Sequence, residues 1–355
     1  MIDKKISVLI VDDSITIRSL MSLALRQDPR ISVVGTAATA LDARDAIIRL
    51  RPDVITLDVE MPKMNGIEFL DKIMRLRPMP VVMVSGLTSN GTNLALQALE
   101  IGAVECVAKP QQIDGIKSFS GLADTIVRAA SAKIRRRGQA TLELPPLISP
   151  NFSRKQALPI VAVGASTGGV EALIELLKSF PENCPPTLIT QHMPRQFSEN
   201  FARRLNQVSK PHVLLASELS VLETGKVFVA PGGDRHLCIE TMGPEGKYVC
   251  RLVYGEPVNG HRPSVDELFF SVSHAAPQNA IGVILTGMEN DGAKGLLAMR
   301  KAGARTLGQD AATSVIYGMP KAAFDIGAVE KQLPLSQIGP AVMKLAENFS
   351  LENIH

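Results

Sequence analysis

The chain has 355 residues, 45% of them hydrophobic and 21% charged, enough apolar material for two cores of ordinary size. A net charge of +3, an aromatic content of 4% and the absence of tryptophan argue against a nucleic-acid surface built on charge or stacked bases. Four cysteines without a C-x-x-C pair, and no apolar run near the ~20 residues of a membrane span, are expected of a cytoplasmic protein with reduced thiols and no membrane insertion.

The first 125 residues alternate short aliphatic runs with amphipathic stretches. Strands are predicted at Ser7–Val11, Ser32–Gly35, Val54–Leu57, Val81–Val84 and Glu105–Val107, with helical patterns such as Ile15–Arg26 and Ile67–Arg77 between them. Such alternation means a parallel sheet covered on both faces, and five strands in this length predict the flavodoxin-like (βα)5 order 2-1-3-4-5. A helical pattern over Leu122–Arg137 follows, closing on the basic run Lys133–Arg137, read as a solvated helix end. Gly138–Leu158 holds Pro145, Pro146 and Pro150, lacks apolar periodicity and reads as a linker.

A second series starts at Pro159. Its predicted strands are Ile160–Gly164, Thr187–Thr190, Val213–Leu215, Lys226–Ala230, Leu237–Ile239, Tyr248–Leu252 and Ala280–Leu285. Helices are expected at Val170–Ser179, Phe197–Gln207, Val265–Ala275 and Ala293–Ala302. The expected organisation is a first domain over 1–125, a helix end and linker over 126–158, and a mainly parallel α/β domain with an antiparallel excursion over 159–350.

Ligands of parallel sheets gather at the carboxyl ends of strands, beside the point where strand order reverses. Asp12 and Asp13 end the first predicted strand and Asp58 the third. Three converging carboxylates repel one another unless a cation intervenes, and an all-oxygen set favours Mg²⁺. Ser85 after the fourth strand offers a hydroxyl to a phosphoryl oxygen; Lys109 after the fifth offers a charge, aimed by Pro110. Singly, a terminal Asp caps a helix and a lone Lys is solvated; the ordered set is what points to a site.

Asp12-Asp13, Asp58, Ser85 and Lys109-Pro110 resemble the receiver domain of two-component response regulators. The resemblance implies that Asp58 accepts a phosphoryl group from a histidine kinase. It also implies that Asp12, Asp13 and Asp58 hold Mg²⁺, while Ser85 and Lys109 contact the phosphate and act as the switch.

In the second series, Ile160–Val163 runs into Gly164-Ala-Ser166-Thr-Gly168-Gly, ahead of a helix. This is G-x-S-x-G in a strand–turn–helix setting, where Ser166 is exposed as a nucleophile and a helix N-terminus faces any oxyanion. The turn lacks a P-loop lysine and dinucleotide-type glycine spacing, which leaves a purely structural glycine turn as the competing reading. His192 follows the next strand and Asp291 a later one, so base and orienting acid fall on the same sheet edge as Ser166. The order Ser, His, Asp differs from that of α/β-hydrolases and excludes membership of that fold.

Gly164–Gly169, Gln191-His-Met-Pro194, Ala230-Pro-Gly-Gly-Asp-Arg-His236 and Leu285-Thr-Gly-Met288…Asp291-Gly resemble the chemotaxis protein-glutamate methylesterases. The resemblance, receiver included, covers nearly the whole chain. It implies hydrolysis of glutamate γ-methyl esters on the cytoplasmic helices of methylated chemoreceptors, with deamidation of receptor glutamines, and no cofactor for the hydrolase. Ser166 would be the nucleophile, His192 the base and acid, and Asp291 its orienting partner. The backbone N–H groups of Met288 and Thr167 would serve the oxyanion. Phosphorylation of Asp58 is then expected to relieve a domain arrangement that restricts access to Ser166. One departure stands out: Glu289 occupies a position where the family commonly has glycine. A DNA-binding output finds no helix-turn-helix to rest on; the remaining rivals are a receptor-binding scaffold without catalysis and a hydrolase with the same triad acting on another ester or amide.

Overall fold

The computed structural model describes residues 4–86, 89–110, 115–134, 158–244 and 246–352. The chain divides into two compact units, Met1–Ala140 and Thr141–His355.

The first unit runs β1 (Ile6–Val11), α1 (Ile15–Arg26), β2 (Ile31–Ala37), α2 (Ala40–Leu50), β3 (Val54–Asp58), α3 (Gly66–Leu76), β4 (Val81–Ser85), α4 (Ser89–Ile101), β5 (Glu105–Ala108) and α5 (Leu122–Ala130). Its sheet is parallel with the expected order β2-β1-β3-β4-β5. Side chains alternate across a strand, so Leu9 and Val11 pack with Leu57 and Met83 on one face. Val8 and Ile10 pack with Val82 and Val84 on the other. Both faces are covered, which is why these strands read as unbroken aliphatic runs. The helices start where a side chain can accept an otherwise unpaired N–H: Ser14 from Ile17, Thr39 from Asp42 and Asn65 from Glu68.

The helix expected over Leu122–Arg137 stops at Ala130. There the Ser131 hydroxyl donates to the Arg128 carbonyl at 2.7 Å, and Ile134 turns back onto the core. Lys133 is therefore not in a helical last turn, and Arg135–Arg137, like residues 138–157 of the expected linker, lie outside the described residues.

The second unit comprises β6 (Ile160–Ala165), α6 (Gly169–Lys178), β7 (Thr187–Gln191), α7 (Arg195–Val208), β8 (His212–Leu215), β9 (Lys226–Val229), β10 (Arg235–Met242) and β11 (Lys247–Tyr254). It continues with α8 (Val265–Ala275), β12 (Ala280–Ile284), α9 (Ala293–Lys301), β13 (Arg305–Gln309), α10 (Met319–Asp325), β14 (Lys331–Leu333) and α11 (Leu335–Glu352). Seven strands form a parallel sheet in the order β14-β13-β12-β6-β7-β9-β8. The antiparallel excursion is a separate two-stranded ribbon, β10–β11. Phe228, Leu268, Phe269 and Leu296 sit in one core that α8 and α9 close against the sheet. β13, β14, α10 and α11 were not among the expected elements: β13 is interrupted by Gly308, β14 has three residues, and Pro340 interrupts the helical pattern of α11. Among the described residues, no helix is long and apolar enough to cross a membrane.

Candidate active site and acidic cluster

In the first unit the strand order reverses between β1 and β3, and the acids stand at that point. Ligand oxygens of Asp12, Asp13 and Asp58 lie within 4.8 Å of one another; Asp12 and Asp58 are buried and Asp13 is exposed. Lys109 enters from the end of β5, its ammonium 2.9 Å from Asp12 Oδ2 and 2.7 Å from Asp58 Oδ2. Burial pushes the Asp58 carboxyl up to about 6 and outweighs the Lys109 ammonium beside it; the Asp12 charge adds to the rise. Burial would pull Lys109 down, but the two carboxylates hold it above its ordinary value. Ser85 ends β4 with its hydroxyl donating to the Gly86 or Gly91 carbonyl, at 3.2 and 3.1 Å. It would have to rotate to meet a phosphoryl group on Asp58.

In the second unit the order reverses around β6. β7, β9 and β8 lie to one side and β12, β13 and β14 to the other, so residues following β6 occupy the switch point. Ala165 is in register with Gln191 on β7, which sets Ser166 and His192 side by side on neighbouring strands about 4.8 Å apart. The Ser166 N–H donates to the Thr286 carbonyl at 3.0 Å, tying the turn to the segment after β12. Gln191 Nε2 donates to the Ser166 carbonyl at 2.9 Å from the other side. Gly168 has φ of 78°, a left-handed conformation that a Cβ would strain, and there Val315 would lie 2.6 Å from that Cβ. The turn is thus held from both flanking strands.

Asp291 is fully buried at the N-terminus of α8, among five donors. They are His192 Nε2 at 2.8 Å, Ser264 Oγ at 2.8 Å, the Val265 N–H at 2.7 Å, the Asp266 N–H at 3.1 Å and Asn259 Nδ2 at 3.2 Å. Burial alone would raise this carboxyl, yet the His192 bond and charge, with the helix N–H and Ser264 donors, hold it down at about 2. Asp291 is therefore a fixed anion. With Nε2–H committed to it, the lone pair of His192 lies on Nδ1, which is buried without a hydrogen-bond partner among the described residues. The Ser166–His192 hydrogen bond is accordingly open, as catalytic bonds often are before substrate binds. The Thr167 and Met288 N–H groups, among the described residues, have no carbonyl partner.

Other residues complete the site, none of them given a role from sequence. Ser264 caps α8, accepting from the Glu267 N–H while donating to Asp291; its S-x-x-E spacing is a capping-box signature that marks it. His236 Nδ1 accepts from the Ser264 N–H at 3.1 Å and its Nε2 faces the Glu256 carbonyl at 3.0 Å, which fixes the start of α8. Gln309 Oε1 accepts from the Thr286 N–H at 2.7 Å. His261 stacks on His192, as taken up below. No local pattern marks Gln309 or His261.

A profile of the CheB methylesterase family matches residues 161–342, and one of the response regulator receiver domain matches residues 8–119. The protein-glutamate methylesterase/protein-glutamine glutaminase of Gluconobacter oxydans is 56% identical over 353 residues, covering 98% of each chain. The enzyme of the same description, numbered 1, from Caulobacter vibrioides is 56% identical over 348 residues, covering 96% of this chain and 98% of its own. The crystal structure of the Thermotoga maritima CheB methylesterase catalytic domain superposes with a TM-score of 0.51 at 34% identity, over 53% of this chain and 98% of that one. With a receiver domain ahead of a hydrolase sheet, and with identity sustained over its full length, the chain belongs to the CheB methylesterase family.

Proposed function

We propose that this chain is a phosphorylation-stimulated protein-glutamate methylesterase of bacterial chemotaxis that also deamidates receptor glutamines. The observation that carries the hydrolase reading is the unpaired, buried Nδ1 of His192, whose opposite nitrogen is bound to the Asp291 anion, one strand from Ser166. A base needs that free lone pair, and an orienter must be charged to keep it there.

Ser166 Oγ attacks the ester carbonyl carbon while His192 Nδ1 takes the hydroxyl proton. The Asp291 carboxylate stabilises the resulting imidazolium, and the Thr167 and Met288 N–H groups receive the oxyanion. The C–O bond then breaks, His192 returns the proton, and methanol leaves. Water, activated by the same imidazole, attacks the acyl-serine and frees glutamate. With a glutamine substrate the leaving group is ammonia.

In the receiver, Asp58 takes the phosphoryl group from a histidine kinase, and Asp12, Asp13 and Asp58 would hold Mg²⁺. The acids fit such an ion: they are hard oxygen donors close together, and Lys109 stands among them as a cation. When bound, the ion would supply positive charge against the carboxylates and the incoming phosphoryl group. Lys109 and Ser85 contact the phosphoryl oxygens. The substrate is the cytoplasmic part of a methylated chemoreceptor, and the setting is the cytoplasm.

Methanol release from methylated receptor, with and without a small phosphodonor, tests the whole reading. Asp58→Ala is expected to keep basal release and lose stimulation; stimulation that survives overturns the coupling. Because a proton competes for Asp58 below about pH 6, Mg²⁺ affinity measured by calorimetry should fall up to tenfold between pH 6 and 5 and stay level above pH 7. A pH-independent affinity would remove Asp58 from the metal site.

A further inference from the structure

The imidazole of His192 is gripped on its edge by Asp291, but its face is also occupied. His261 lies parallel to it, ring centroids 3.7 Å apart and planes 8° from parallel. His261 Nε2 in turn lies 3.1 Å from Glu289 Oε2. A short turn delivers this ring. The Val258 carbonyl accepts from the His261 N–H at 2.9 Å, and the two residues between them, Asn259 and Gly260, have φ of 50° and 79°. Positive φ at both central positions defines a type I′ turn, and Asn-Gly is the pair that tolerates it. The same turn points Asn259 Nδ2 at Asp266 Oδ2 and Asp291 Oδ1, at 3.0 and 3.2 Å. One turn therefore touches both the acid and the base of the site. Glu289 sits at φ of 64°, a strained position for a side chain with a Cβ, where its carboxylate nevertheless engages His261.

We propose that His261, held by Glu289, is a positioning residue for His192: a second imidazole–carboxylate pair stacked on the first, which keeps the His192 ring in plane and sets the pH at which hydrolysis begins. The inference rests on the reading of His192 as general base.

Two physical arguments support it. A ring bonded only at Nε2 can still rock about that bond, and a parallel ring at van der Waals distance restricts that motion and keeps Nδ1 toward Ser166. Second, two stacked imidazoles repel each other when both are cations. Burial and the neighbouring His192 depress His261, while the Glu289 and Asp291 carboxylates pull the other way. Asp266 on α8 accepts from Asn259 of the same turn, and Arg262, next to His261 in the chain, donates from its guanidinium to the Gly233 and Gly255 carbonyls at 2.9 and 2.6 Å. A charged His261 would oppose the imidazolium that forms on His192 during the reaction, so the acid limb of the rate follows His261. Glu289 favours the cationic form of His261, so removing its charge should let the enzyme work at lower pH.

The test uses the full-length protein and methanol release, with native-like circular dichroism required of each variant. His261→Ala is expected to lower kcat about tenfold with KM unchanged. His261→Phe, which keeps a flat ring and removes the proton site, should recover kcat to within threefold. Glu289→Gln should move the acid limb of kcat/KM to lower pH by about half a unit. His261→Ala at full kcat, His261→Phe no better than alanine, or an unmoved acid limb in Glu289→Gln each overturns the proposal. His192→Ala separates it from the reading beneath: if that variant is inactive while His261 and Glu289 variants behave as the native enzyme, only the positioning role fails. If His192→Ala stays active, the base assignment itself fails.

Discussion

Ser166→Ala is expected to lower kcat for methanol release by at least ~10⁴-fold, with KM little changed. The hydroxyl meets the substrate only at the reacting carbon, so its loss removes the covalent route and little ground-state binding. The turn itself should survive. It is held by the Ser166 N–H to Thr286 carbonyl bond and by Gln191 donating to the Ser166 carbonyl, and neither involves the side chain. Unfolding curves for the variant should match those of the native chain, which separates lost chemistry from lost structure. The residue left by oxyanion binding and orientation keeps the rate above that of water alone. Hydrolysis within tenfold of native would show that Ser166 is not the nucleophile.

Asp291→Asn should cost about 10³- to 10⁴-fold in kcat, and it should also cost stability. The amide no longer fixes the proton on His192 Nε2, so the lone pair on Nδ1 is lost in part of the population. It also brings an N–H₂ into a site surrounded by donors: Ser264 Oγ, the Val265 and Asp266 N–H groups and Asn259 Nδ2. The pH dependence carries a definite sign. Asp291 in the fold is held at about 2, below its unfolded value near 4, so its charge stabilises the folded unit above pH 4. That contribution, on the order of 2 kcal/mol, is lost as pH falls through 2. Equilibrium unfolding at pH 7 should therefore show the asparagine variant less stable, with the gap narrowing toward pH 2. A gap that stays constant would mean that the carboxylate charge contributes nothing to the fold.

The two units differ in how far their function could be read without coordinates. The receiver acids all stand at the ends of strands in the first five βα repeats, so strand order and the switch-point rule suffice to bring Asp12, Asp13 and Asp58 together. What could not be read there is that Lys109 bridges Asp12 and Asp58, or that Ser85 bonds to carbonyls instead. Those are rotamer choices, made by packing within a few ångströms. In the second unit the partial record of strands hid the edge β13–β14, because short or glycine-bearing edge strands give weak patterns. That edge supplies Gln309 to the Thr286 backbone, so the support of the Ser166 turn was not legible in the sequence.

By itself the sequence determined the alternation of strands and helices, the sharp turn at Ser166, and the placing of His192 and Asp291 just past strand ends. These follow from properties carried by neighbouring residues: short unbroken aliphatic runs, glycines where the backbone must turn, and caps where helices begin. Only the tertiary structure decided that β12 stands against β6, across from β7. That neighbourhood brings Asp291 to His192, 99 positions away, at 2.8 Å. It decided too that α8 aims its N-terminal N–H groups at Asp291, and that the Asn259-Gly260 turn lays His261 on the face of His192. A hydrogen bond tolerates errors of a few tenths of an ångström, whereas sequence spacing limits position only to the length of a loop. The final placement of donors against acceptors therefore comes from the packed sheet, through strand register and the burial that excludes water.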